Sequence, residues 1–114
     1  MKILVCGGRD FNNKELFYSV LDKGAHIITE IIHGGASGAD TLAGQWAREH
    51  NKKETEFMAD WKKHGRAAGP IRNKKMMFEG KPDAVIAFPG GAGTADMISV
   101  AKQNNVKTLV IGEK

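Results

Sequence analysis

Three stretches of this chain combine glycine with residues that bind anions or move protons: Gly7-Gly8-Arg9-Asp10-Phe11, Gly34-Gly35-Ala36-Ser37-Gly38-Ala39-Asp40 and Pro89-Gly90-Gly91-Ala92-Gly93-Thr94-Ala95-Asp96. Glycine lets a ligand approach the backbone closely, and an arginine or a run of free amides suits a phosphate. Each stretch follows an apolar run and leads into a helical pattern. In a parallel sheet such turns share one edge, where helix N-termini present unpaired N–H groups with partial positive charge. Glycine is also needed simply to turn a strand into a helix, so the weight rests on three such loops occurring together. Thr94 fits either a helix cap or a hydroxyl donor to phosphate, and Asp40 is equally divided because it lies three residues after Ser37, the spacing of a capping box.

A second signal is Trp61-Lys62-Lys63-His64-Gly65-Arg66-Ala67-Ala68-Gly69-Pro70-Ile71-Arg72-Asn73. If Pro70 opens a helix, Arg72 falls in its first turn, where the helix dipole disfavours a cation; placement against local stability points to an anion as its partner. Trp61 is suited to stacking on a base or to half-burial under the loop. Lys62, Lys63, Lys74 and Lys75 read as solvated surface. His26, His33, His50 and His64 lack metal-ligand spacing and Cys6 is the only cysteine, so no metal and no cofactor is expected. No Ser or Cys stands in a nucleophile turn.

The elements that must position these residues are legible as apolar β-branched runs: Ile3 to Cys6, Ile28 to His33, Thr55 to Met58, Ala84 to Phe88 and Thr108 to Ile111. Most are nearly continuous, which favours a parallel sheet covered on both faces. Between them lie helices starting at Asn12 as N-cap, with Glu15 three residues on; near Ser37; at Pro70; and at about Thr94. Residues 59–69 read as one long irregular connection. The alternation predicts an α/β fold, a three-layer, Rossmann-like, doubly wound parallel sheet of about five strands in a single domain over 1–114. A flavodoxin-like strand order is expected, with the first and fourth strand ends together and Gly7-Gly8 beside Gly90-Gly91.

The 114 residues suffice for one core, and 41% hydrophobic with 26% charged residues is ordinary for a globular protein. Fourteen glycines exceed the average usage of roughly 7%. The net charge of +4 and pI near 9.3 suit an anionic ligand but fall short of a dedicated nucleic-acid binder. Cys6, at the end of an apolar run, reads as a core residue in a reducing compartment. With no signal-like or membrane-length segment, a cytoplasmic protein is expected.

At these residues the chain resembles the SLOG superfamily of Rossmann-like domains, which includes the cytokinin-activating LOG phosphoribohydrolases, the DprA DNA-processing proteins and small YspA-type proteins. The YspA-type resemblance spans nearly the whole chain, through Gly8-Arg9-Asp10-Phe11, His33 to Asp40, Ala59-Asp60-Trp61, Ala68 to Asn73, and Gly93 to Asp96. It implies binding of a nucleotide or nucleotide-derived signal, with ligand contacts from Gly7, Gly8, Arg9, Asp10, Gly34, Gly35, Ser37, Asp40, Trp61, Arg72, Asn73, Gly90, Gly91, Gly93 and Thr94. Pro89 to Thr94 also resembles the start of the LOG motif Pro-Gly-Gly-x-Gly-Thr-x-x-Glu, and Arg72 with Met76 its arginine-bearing helix. The glutamate position holds Met97, a core-type residue, while Asp96 lies one residue earlier, rotated by roughly 100° on an ideal helix. The resemblance therefore implies, as an alternative, a nucleotide N-glycosidase with Asp96 and Arg72 as catalytic residues, Asp10 and Asp40 being further carboxylates at the same edge. The DprA likeness implies single-stranded DNA binding through Lys62, Lys63, Arg66 and Arg72, against which the shortage of aromatics beyond Trp61 argues. Relatives that pair through helices imply a homodimer.

Overall fold

A computed structural model describes residues 1–112. Its centre is β1 (Lys2–Cys6), hydrogen-bonded in parallel to β2 (Glu30–His33) on one side and β4 (Ala84–Ala87) on the other. The strands β3 (Lys53–Glu56) and β5 (Lys107–Val110) complete a five-stranded sheet in the order 3-2-1-4-5. This is the Rossmann order, not the flavodoxin-like one, in which strand 3 would sit next to strand 1. It is the 3-2-1-4-5 order that makes β1 and β4 neighbours and brings their exits together.

The apolar continuity of β1 follows from its two covered faces. Ile3 and Val5 join Ile31 in a core with α1 (Lys14–Asp22) and α2 (Ala39–Glu49), built on Phe17, Leu21, Ala43 and Trp46. Leu4 and Cys6 point the other way and join Ile32, Val85 and Ala87 under α4 (Ala68–Phe78) and α5 (Ala92–Gln103), whose Met76, Met97 and Ala101 fill that layer. Helices on both faces of a parallel sheet make the doubly wound, Rossmann-like single domain that the pattern predicts. Cover is incomplete at β5, where Leu109 and Val110 are more than half exposed. Among the described residues no helix is long and apolar enough to cross a membrane.

Several boundaries differ from the sequence expectation, each for a local reason. The cap of α1 is Asn13, not Asn12: its side chain accepts from the Leu16 amide at 3.1 Å, so Glu15 falls one position short of a capping box. The strand β3 is charged, not the apolar Thr55 to Met58. Register with β2 pairs Glu56 with His33 and leaves β3 at the edge, where charge is tolerated and blunts strand addition. Residues 59–69 are mostly helical. Asp60 accepts from the Lys63 amide at 3.1 Å and caps α3 (Trp61–His64), a 3-10 turn follows at Gly65–Ala67, and α4 opens at Ala68. Pro70 is thus the third residue of α4, still within the turn whose amides need no helical acceptor. Likewise α5 opens at Ala92, two residues before Thr94.

Candidate functional site

A cavity of about 430 Å³ lies on the carboxyl edge of the sheet over the β1 and β4 exits. The amide of Gly8 donates to the Pro89 carbonyl at 2.8 Å and ties the two loops together. Crowding at this junction explains part of the glycine. A Cβ on Gly7 would stand 2.6 Å from that of Ala39, and one on Gly8 3.0 Å from the Pro89 oxygen. Gly90 is packed against the Thr94 hydroxyl and the Gly8 amide, and Gly34 against the Arg72 guanidinium. Gly91 and Gly93 are different. Nothing lies within 4 Å of a Cβ at either position, and neither has the left-handed backbone that would call for glycine.

Those two glycines form the entrance to α5. Gly91 is its N-cap, without a side-chain cap bond, and the first helical hydrogen bond runs from the Ala95 amide to the Gly91 carbonyl at 3.0 Å. Among the described residues no acceptor meets the amides of Ala92, Gly93 and Thr94, which lie where the helix dipole is positive. Thr94 makes no cap bond and contributes its buried side chain to the cavity wall, which removes the capping alternative.

Facing this helix end are arginines from other elements. Arg72 is the fifth residue of α4, not in its first turn, so the dipole argument does not apply to it. Tertiary contacts hold it instead. Its Nη1 donates to the Gly34 carbonyl at 2.7 Å and its Nε to Asn73 Oδ1 at 3.0 Å. The buried Asn73 passes the connection on, its Nδ2 donating to the Gly93 carbonyl at 3.2 Å and to Asp96 Oδ2 at 2.9 Å. Burial lowers the Arg72 pKa; the Asp40 carboxylate opposes that effect and the Arg9 charge adds to it. Arg9 lies over the Trp61 ring, 5.3 Å from its centre. Among the described residues, no salt-bridge partner engages Arg9, Arg66 or Arg72, all three of which line the cavity.

Two titratable side chains, Asp40 and Cys6, line the cavity. Burial raises the Asp40 pKa, an effect opposed by the Ala36 amide, which donates to Oδ2 at 3.1 Å, and by Arg72. This reach back to Ala36, together with Gly38 as the left-handed N-cap of α2, replaces the Ser37–Asp40 capping box. Burial likewise pushes the Cys6 thiol up to about 12, so it stays protonated and is no nucleophile.

The model of the YspA, cpYpsA-related SLOG family (YAcAr) matches residues 1–64. The chain belongs to this family. It is also similar to the Gene 61 protein of Mycobacterium phage D29, with 31% identity over 123 aligned residues covering 99% of this chain and 98% of that protein. The segment matched by the SLOG model runs from β1 through α3 and so supplies the Gly7, Arg9, Asp40 and Trp61 side of the cavity; α4 and α5 supply the Arg72 and Gly93 side.

Within this SLOG domain the cavity gathers Gly7, Gly8, Arg9 and Asp40 from the first two strand exits. Trp61 comes from α3, Arg72 and Asn73 from α4, and Gly91, Gly93, Thr94 and Asp96 from α5. Asp96 thus reaches the wall from one position before Met97, which is fully buried in the core. Gly34, Gly35 and Ser37 line a smaller adjoining hollow, and Ser37 donates from its hydroxyl to the Arg9 carbonyl at 3.3 Å. Asp10 and Gly90 are exposed and line neither space. Cys6, Gly69 and Ala92 line the cavity without any chemical signal in the sequence; their place is set by the exit of β1 and the start of each helix.

His33 was legible as the end of the second strand, as the start of the His33 to Asp40 motif and as a histidine without metal spacing; its place is structural. Its Nδ1 accepts from the Gly35 amide at 3.0 Å, which puts the ring proton on Nε2, 2.7 Å from Glu54 Oε2. Arg48 donates to the other Glu54 oxygen at 2.7 Å, and these hydrogen bonds, His33 first, lower the Glu54 pKa against a smaller effect of burial. His33, Glu54 and Glu56 bring possible ligand atoms within 4.8 Å of one another, but both His33 nitrogens are engaged, one by Glu54 and one by the amide of Gly35 in the turn that receives Arg72.

Proposed function

We propose that this SLOG-family domain binds a nucleotide or nucleotide-derived small molecule in the 430 Å³ cavity, acting as a sensor or a sequestering module. The observation that carries this reading is the pairing of free helix amides with cations that have no salt-bridge partner. The open Gly91 and Gly93 expose the free amides of α5, and across from them stand Arg9 and Arg72 without a salt-bridge partner. Burial and the neighbouring Arg9 charge both disfavour the Arg72 cation, and an anion bound there would offset both and meet the helix N-terminus as well. The volume falls within the ~300–1,000 Å³ usual for small-molecule sites. Native mass spectrometry of the protein with nucleoside monophosphates, ADP-ribose, NAD and cyclic dinucleotides tests the reading. A ligand retained at unchanged mass supports it, and no adduct and no product across the set refutes it.

Asp96 favours a second reading, a nucleotide N-glycosidase. Its Oδ2 is held by Asn73 while the side chain lines the same cavity as Arg72. In this scheme water adds to the anomeric carbon as the bond to the base breaks, the base leaves with a proton, and the carboxylate stabilises the cationic ribosyl centre while Arg72 holds the phosphate. Release of free base that is lost in Asp96→Asn supports it; release that persists in the variant removes Asp96 from the mechanism.

We further propose that a second copy of the chain is its partner, since β5 leaves Leu109 and Val110 more than half exposed and a small domain gains from covering such surface. A reducing, cytoplasmic setting accords with the single buried thiol, Cys6.

A further inference from the structure

The cavity is not the only space that its cations border. A second hollow, of about 210 Å³, lies on the other side of Arg9, Trp61 and Arg72, all of which line both. Its remaining walls are the Gly34–Ser37 turn and Met58-Ala59. It is smaller than the usual small-molecule site, sized for one ring system rather than for a separate ligand.

Chemically the two walls of this hollow differ. The turn side is backbone and the Ser37 hydroxyl. The other side is apolar: Met58 is 71% exposed and Trp61 48%, two of the largest exposed apolar side chains of the domain, and they stand three residues apart beside a charged dyad. Met58 is not on a frayed segment. The Phe57 amide donates to the His33 carbonyl at 2.9 Å just before it, and the Asp60 cap of α3 closes the chain just after. A methionine held out in water at a fixed place, lining the same hollow as an indole, is a surface that waits for a flat partner.

Between the two spaces, Arg9 and Arg72 are close enough that the charge of one lowers the pKa of the other, and neither has a salt-bridge partner among the described residues. An anion that bridges them would sit on the ridge shared by both hollows, with room for a substituent on each side.

We propose that the ligand of this site is a dinucleotide-type molecule: one nucleoside in the main cavity, a phosphate bridge on Arg9 and Arg72, and a second ring system in the hollow walled by Met58 and Trp61. This rests on the nucleotide reading of the main cavity and narrows its ligand class from nucleotides in general to phosphate-bridged pairs.

Calorimetric titration of the full chain with AMP, ADP and NAD separates the parts. The expected result is that NAD binds at least about tenfold more tightly than ADP, and that Met58→Ser, a change at an exposed side chain, removes that gain while leaving AMP and ADP affinities within about twofold. NAD no tighter than ADP, or a gain that survives Met58→Ser, overturns the second-ring subsite while leaving the mononucleotide site in place. If none of the three binds, the subsite proposal fails, and the reading on which it rests fails with it only if ADP-ribose and cyclic dinucleotides leave no adduct either.

Discussion

Gly93→Ala separates a glycine kept for a ligand from one kept for the fold. Gly93 is the second residue of α5, has no positive φ, and has nothing within 4 Å of the place where a methyl would go. The hydrogen bond it receives is at its carbonyl, from Asn73, which a methyl does not touch. The unfolded chain loses freedom and the folded chain loses nothing, so the variant should gain about 0.4–1 kcal/mol. With an unfolding entropy of roughly 2 cal/mol/K per residue, that is a rise of about 2–4 °C in Tm for a chain of this size. The same methyl projects from the cavity wall, where a phosphate needs to approach the α5 amides, and overpacking of about 1–3 kcal/mol there weakens binding about fivefold or more. Thermal melts of the ligand-free protein and calorimetry with the best nucleotide found for the wild type measure both sides. A fall in Tm would refute the claim that the fold does not need this glycine. An unchanged affinity would refute close approach of the ligand to the helix end.

Other consequences follow from the surrounding groups. Glu54 has a lowered pKa, so its pairing with His33 and Arg48 stabilises the fold above the ordinary carboxylate value of 4.5 and is lost as pH falls through the lower folded value. Glu54→Gln should therefore be less stable than wild type at pH 7, with the difference shrinking below about pH 4 in urea melts; a difference independent of pH would contradict the assignment. Asp40 runs the opposite way: its raised pKa means that the native state holds the proton more tightly than the unfolded chain, so its contribution declines as pH rises out of the carboxylate range. Cys6, with its thiol pushed up to about 12, should resist iodoacetamide at pH 8 in the native protein and react on unfolding; rapid native labelling would show that β1 is not closed over. Light scattering should give twice the mass of the chain, and Leu109→Glu should restore the single-chain mass if β5 forms the interface; a monomer in the wild type ends that proposal.

The fold was legible because its cause is local and repeated. A strand such as Lys2–Cys6 must be apolar at successive positions when Ile3 and Val5 face one helical layer and Leu4 and Cys6 the other, and that demand is written residue by residue. The edge strand β3 escaped because nothing local requires its Lys53–Glu56 to be apolar; its position comes from register with β2, a nonlocal fact. Strand order is nonlocal too. The neighbours β1 and β4 were anticipated, yet under the wrong topology, since alternation of strands and helices is the same in both orders.

Arg72 shows how a residue of the candidate site can be found for a reason that the structure replaces. The expected first-turn penalty depended on Pro70 opening the helix, and α4 opens two residues earlier, at Ala68. What holds the guanidinium is the Gly34 carbonyl, and what leaves room for it is the missing side chain of Gly34 itself, on a turn braced by His33. Glycine therefore carries three meanings here that composition cannot separate. Gly7 yields to the β-carbons of Ala39 and Phe88 and Gly8 to the Pro89-Gly90 backbone, Gly34 to the Arg72 guanidinium, and Gly91 and Gly93 to empty space. Only the last kind is unexplained by the protein alone, and it lies at the helix end whose amides have no acceptor among the described residues. A binding site in such a domain is thus best sought where glycine recurs and neither sterics nor backbone conformation requires it.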